Sequence, residues 1–197
     1  MLEWGLDEDF NLVYIKSADS SAHKYFCPEC RALLIVKNRD FKDRERLRLK
    51  HFAHFTKAFC PASSSNSETM AHINTKLLMY DRLTQNKSCM AYLKVRVGET
   101  KQHIEFNLLE GVDRVELEKM TVGNLIPDIS LYVKGKLARV IEIVATHEDS
   151  DSKTECYATN EIMAFRLITN EQIYHRLKRG ALPIFTIGKQ QLSKILS

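Results

Sequence analysis

The chain has 197 residues, a formal net charge of +4, 44% hydrophobic and 27% charged residues, which suits a globular protein large enough to bury its own core. No apolar run reaches the length of a membrane span, and the acidic start Met1 to Asp9 lacks the basic-then-apolar order of a signal peptide. Five cysteines, of which Cys89 and Cys156 stand apart from the rest, favour a reducing, cytoplasmic setting over a disulfide framework.

Residues 11–16 and 23–27 read as short strands from their alternation and aromatic content, and 32–37 as a third. Cys27-Pro-Glu-Cys30 falls at the turn between two of these strands. The polar stretch 38–45 is a loop, and 47–55 the returning strand, which carries His51-Phe-Ala-His54 and leads to Cys60. Zinc favours four soft or borderline ligands at tetrahedral corners, so Cys27, Cys30, His54 and Cys60 are the expected closed structural site. His51 competes with His54 for the fourth place, because the two have opposite parity along a strand. A redox dithiol would call for a different, thioredoxin-like surrounding. Arg39, Lys42, Arg44, Arg46, Arg48, Lys50 and Lys57 outnumber Asp40, Asp43 and Glu45, and such a ribbon suits a phosphate backbone.

Residues 61–67 have linker composition, so a β-rich zinc-binding module is expected over 1–62 and an α/β core over 63–197. Ser65 and Glu68 form a capping box for a helix carrying Met70, Ile73, Leu77, Leu78 and Met79. Strands follow at 91–97, 102–107 and 113–117. A hairpin of 125–133 and 137–145 turns at Lys134-Gly135. Helices are expected at 151–169, 171–179 and 190–196, with a buried strand at 183–187.

Two carboxylates stand out in this core. Asp128 follows Pro127 at the start of a strand, and Glu142 interrupts the apolar run Val140-Ile-Glu-Ile-Val144 of its hairpin partner. A buried carboxylate left unmatched costs several kcal/mol, roughly, so Glu142 is expected to hold a cation, line a site or pair with a basic residue. Two hard oxygen donors on adjacent strands suit Mg²⁺. Glu68, His72 and Lys76 share one helix face by their spacing, where they either border the carboxylates or make a solvated face.

The combination of Cys-Pro-x-Cys, His-Phe-Ala-His, Glu-x-x-x-His-x-x-x-Lys, Pro-Asp and Ile-Glu resembles the competence protein CoiA family over roughly residues 23–170. That resemblance implies a restriction-endonuclease-like, PD-(D/E)XK core: a mixed sheet flanked by helices, cutting DNA phosphodiesters with Mg²⁺ or Mn²⁺. It assigns Glu68 as the first-helix acid and Asp128 and Glu142 as metal ligands. The family's Lys or Gln, two residues after the second acid, is here Val144. Lys76 is the favoured substitute and Lys153 the other, with His72 steadying water or phosphate and Thr146 able to touch a phosphate. The expected activity is therefore a metal-dependent deoxyribonuclease, with a homodimer as the form suited to double-strand breaks. The alternatives are an inactive nuclease fold that binds DNA, and a zinc-stabilised interaction domain.

Overall fold

The computed structural model describes residues 1–19, 23–37, 49–56, 60, 67–97, 99–119, 121–144, 151–188 and 191, with the backbone alone at 67, 68, 97, 122, 151 and 152. The basic residues from Arg39 to Arg48, Lys57, the capping Ser65, Thr146 and the expected C-terminal helix apart from Gln191 lie outside these. The architecture is mixed α/β, with three sheets and three α-helices among the described residues. None of these helices is long and apolar enough to cross a membrane.

The chain divides into two compact units, Met1–Leu77 and Leu78–Ser197, where the sequence suggests a boundary at residue 62. The difference has a structural cause in helix α1 (Ser67–Gln85). Its first half is tied to the N-terminal residues: Asn74 Oδ1 accepts from the Glu3 amide at 3.0 Å, and Asn74 Nδ2 donates to the Met1 carbonyl at 2.9 Å.

The N-terminal unit is built on five short antiparallel strands: β1 (Trp4–Leu6), β2 (Leu12–Tyr14), β3 (Tyr25–Phe26), β4 (Leu33–Lys37) and β5 (His51–His54). They lie in the order β2-β1-β3-β4-β5. Strand β1, hidden in the sequence, starts a core of Trp4, Leu6, Tyr25, Leu34 and Phe52. Gly5 is required there, since a Cβ would stand 3.1 to 3.3 Å from the Phe52 ring, closer than ordinary packing allows.

In the C-terminal unit, β6 (Met90–Val97) and β7 (Thr100–Asn107) form a long hairpin, and β12 (Ile184–Phe185) pairs parallel with β6. Strands β8 (Val112–Leu117), β9 (Ile129–Val133) and β10 (Lys136–Val144) form an antiparallel meander. Lys134 and Gly135, at φ 52° and 73°, turn the β9–β10 hairpin in the doubly left-handed form that matches strand twist.

The expected helix over 151–169 is corrected: α2 (Asp151–Thr159) ends after nine residues, and β11 (Met163–Ile168) runs parallel to β10. The mostly apolar segment Ile162 to Ile168, broken only by Arg166, lies between β10 and the Thr186 bridge with no residue fully exposed. Such runs lack the alternation that marks a half-exposed strand. A further helix, α3 (Glu171–Lys178), is capped by Asn170, whose Oδ1 accepts from the Ile173 amide at 2.9 Å. The two sheets of this unit are joined by a single antiparallel bridge between Arg166 and Thr186.

One face of the combined sheet carries an apolar core, with Ile129, Leu131, Ile141, Ile143, Phe165, Leu167, Phe185 and Leu93 all buried. Phe106 stacks on Phe165 at 5.2 Å and Phe185 meets Phe165 edge-on at 5.7 Å. Side chains alternate across a strand, so the opposite face carries Asp128, Ser130, Val140, Glu142, Ala164 and Arg166. Truncating Leu131, which is fully buried, to alanine is expected to cost about 2–5 kcal/mol, read as a lower midpoint in chemical denaturation with an unchanged slope.

Candidate functional site

The Cys27–Cys30 turn joins β3 to β4, and β5 returns antiparallel to β4. Arg31, at φ 62°, and the bonds from Cys27 N to Ala32 O (2.8 Å) and from Arg31 N to Cys27 O (2.9 Å) close this knuckle. Register sets His54 opposite Leu34, at the knuckle end of the ladder, and His51 opposite Lys37, at the far end. His51 and His54 also face opposite sides of β5.

The result is a cluster of Cys27, Cys30, His54 and Cys60 whose ligand atoms all lie within 4.8 Å of one another. Cys27 Sγ and Cys60 Sγ are 3.7 Å apart, and Cys30 Sγ stands 3.3 Å from His54 Nε2. A tetrahedral ion with Zn–S bonds of ~2.3 Å would set two thiolates about 3.8 Å apart. The donor set therefore fits a metal such as zinc, with all four corners supplied by the protein and none left for a substrate. His51 lies outside the cluster, and its Nδ1 is 2.9 Å from the Leu49 carbonyl. Burial pushes the Cys27 thiol up to about 12, with the nearby Cys60 sulfur adding to the shift against the pull of backbone amides. A bound cation reverses that preference and draws the proton off.

Glu29, inside the knuckle, accepts from Lys76 Nζ at 3.0 Å, with side-chain exposures of 16% and 3% respectively. Lys76 is therefore committed to the zinc knuckle: it fastens the turn to α1 by an ion pair shielded from solvent. His72 is half-buried on the same helix, and Glu68 is described only as backbone in its first turn.

The second constellation lies wholly in the C-terminal unit. Extending the β9–β10 register by one pair beyond Ile129 and Ile141 sets Asp128 opposite Glu142. Asp128 Oδ2 accepts from the Ile143 amide at 2.7 Å, replacing a ladder partner just before β9 begins. Glu142 Oε2 accepts from Lys153 Nζ at 2.7 Å, and Oε1 from the Tyr157 hydroxyl at 2.8 Å. Tyr157 is buried with Val140, Ile162 and Ala164, which fixes α2 over this face and delivers both donors to one carboxylate.

Burial raises the Glu142 carboxyl above its ordinary range despite the Lys153 and Tyr157 hydrogen bonds, and the Asp128 charge adds to the rise. The Tyr157 hydroxyl is likewise raised, first by burial and then by the Glu142 charge. Two adjacent carboxylates, one of them raised by burial and by its neighbour's charge, are a setting in which a divalent cation is favourable. Val144 offers no side-chain donor, and its carbonyl accepts from the Thr169 amide at 2.8 Å.

Of the residues singled out in the sequence, the fold brings together Cys27, Cys30, His54 and Cys60 in one unit, and Asp128 with Glu142 in the other. The lysine on Glu142 is Lys153, whereas Lys76 meets Glu29. Tyr157 and Arg166 add to the acidic site. Arg166 is Glu142's register partner on β11, which the helical reading of 151–169 hid. No family model, no curated protein and no solved structure matches this chain.

Purified protein is expected to carry one zinc per chain by elemental analysis. His54→Ala and Cys60→Ser should lose it and unfold the N-terminal unit, while His51→Ala keeps it. Lys76→Met should retain zinc yet lower the unit's stability by about 1–3 kcal/mol, since Glu29 then loses its partner.

Proposed function

We propose that this protein is a divalent-metal-dependent nuclease of DNA, on a restriction-endonuclease-like core and akin to the CoiA-like family. The observation that carries the reading is the convergence of Asp128, Glu142 and Lys153 at the start of β9, the end of β10 and the start of α2. The antiparallel meander β8–β9–β10, followed by α2 and by β11 parallel to β10, supports this reading; the β6–β7 hairpin stands between α1 and that meander.

Asp128 and Glu142 are the residues to hold Mg²⁺ or Mn²⁺, which when bound supplies a more acidic water and positive charge for the scissile phosphate. Asp128 is kept in place by the Ile143 amide. Glu142 is oriented through both oxygens, which leaves little rotational freedom to be lost on binding. Lys153 replaces the donor that Val144 lacks: its ammonium sits at the carboxylate where an attacking water and a developing phosphate charge would lie. The resemblance also assigns Glu68, and His72 stands one turn on in the same helix, while Lys76 pairs with Glu29. Zinc at the four-ligand cluster is structural, and the basic stretch 39–57 supplies backbone affinity for DNA. A cytoplasmic protein, dimeric where both strands are cut, suits this role.

A second reading, a DNA-binding protein on an inactive nuclease frame, is favoured by Val144. Cleavage of supercoiled, linear and single-stranded DNA with Mg²⁺ or Mn²⁺ decides between them. Asp128→Asn, Glu142→Gln and Lys153→Met should each lower the rate about 10²-fold or more, with zinc content retained and each variant still folded at the assay temperature by its melting curve. A wild-type protein that binds DNA but cuts none of these substrates establishes the second reading. Cleavage that survives Asp128→Asn removes the proposed site.

A further inference from the structure

The acidic pair is one end of a longer row. Glu142 is in register with Arg166 on β11, and Arg166 is bridged to Thr186. Ile184 and Phe185 pair with Tyr92 and Leu93, so one more step sets Thr186 beside Lys94, which is itself opposite His103 on β7. Each pairing keeps its two residues on the same sheet face. Asp128, Glu142, Arg166, Thr186, Lys94 and His103 thus form one transverse line over six strands. Glu142 and Lys94 are three strand spacings apart, about 14 Å.

Beyond Lys94 the same face of the hairpin carries Arg96 opposite Lys101, and Tyr92 opposite Glu105. Lys94, Arg96, Lys101 and His103 are exposed. Among the described residues the three lysine and arginine side chains of this hairpin face make no ion pair with a carboxylate. Glu105, and Glu99 in the turn, are the only acids on these two strands or the turn between them. The Tyr92 and His103 rings lie 6.2 Å apart, offering two π-faces between the cations.

Beside this row is a cavity of about 250 Å³, lined by Leu177, Leu182, Ile184 and Thr186 and by two cations, Lys94 and Arg176. Leu182 and Ile184 are 37% and 41% exposed, apolar surface that a flat apolar ring would cover. Arg176 is exposed on α3 and has no carboxylate partner among the described residues.

We infer that this face binds a single-stranded nucleic acid, with one unpaired base in the α3–β12 cavity and its flanking phosphates on Lys94 and Arg176. The inference rests on the nuclease reading for its direction, since the strand would run from the hairpin past Arg166 to the acidic pair. Cations alternating with rings and an apolar slot suit splayed, stackable bases. A duplex keeps its bases inside and presents only sugar and phosphate to such a slot.

Binding is measured by fluorescence anisotropy with a labelled oligothymidylate and with a duplex of equal length, in EDTA so that no cleavage occurs. Lys94→Ala/Arg176→Ala should weaken single-strand binding about tenfold or more and lower the salt slope by about 1.4. The duplex should be affected less, and Lys134→Ala/Lys136→Ala, in the exposed β9–β10 turn, should match wild type. Melting curves check that each variant folds. Ile184→Trp, which fills the cavity and leaves the charges, should weaken the single strand alone. Unchanged affinity in the double variant, an equal loss in the turn control, or displacement by polyglutamate as effective as by DNA overturns the inference. Because these readouts need no hydrolysis, cleavage lost with binding intact discards only the nuclease reading, and cleavage intact with hairpin-independent binding discards only this one.

Discussion

Removing charge from water is the constraint around which both units are arranged. In the C-terminal unit Glu142 sits on an otherwise apolar strand, where a lone carboxylate would be expelled or protonated. Its two oxygens are matched by Lys153 and Tyr157, and both donors come from α2. That helix has little amphipathic character of its own, so its place is decided by burying Tyr157 and by the carboxylate beneath it. In the N-terminal unit the same rule governs Lys76, which is buried on α1 and spends its charge on Glu29. Removing either partner of such a pair costs more than the pair contributes, because the survivor is left desolvated.

The metal cluster answers a different shortage. The strands of the N-terminal unit are two to five residues long, and so short a ladder fixes little by itself. An ion held by the knuckle, β5 and Cys60 would tie segments separated by more than thirty residues. A bound metal of this kind contributes folding free energy directly. Lys76 and Asn74 then connect the same sheet to α1, which explains why the compact unit extends into the helix and does not stop at the serine-rich stretch.

Much of this was legible where chemistry is local. Four ligands were evident from spacing, because a Cys-x-x-Cys turn and a His on the return strand meet whenever the strands pair. Choosing His54 over His51 required the register of β4 and β5, which no alternation reveals. The hairpin with Asp128 and Glu142 was evident from Lys134-Gly135 and from a charge interrupting an apolar run. The lysine was not. Helix spacing favours Lys76, and only the packing of Tyr157 shows that Lys153 is the one that turns toward Glu142. Strand β11 was concealed for a related reason: a strand with no residue fully exposed loses the period-two pattern, and its mostly apolar segment continues smoothly from a true helix. With β11 went Arg166, so the row across the sheet could not be seen at all.

That row gives the sheet two opposed characters. One face carries the buried apolar core, closed by the Phe106, Phe165 and Phe185 cluster. The other passes from carboxylates through Arg166 to hairpin cations that form no ion pair among the described residues. Repulsion keeps a polyanion away from Asp128 and Glu142 unless a cation is bound there, while Lys94, Arg96 and Lys101 attract it without help. An anionic chain would therefore engage the hairpin first and reach the acidic pair only when divalent metal has neutralised it. On the proposed reading, affinity and chemistry would be separated along a single line of residues, with metal occupancy at one end governing access without altering the grip at the other.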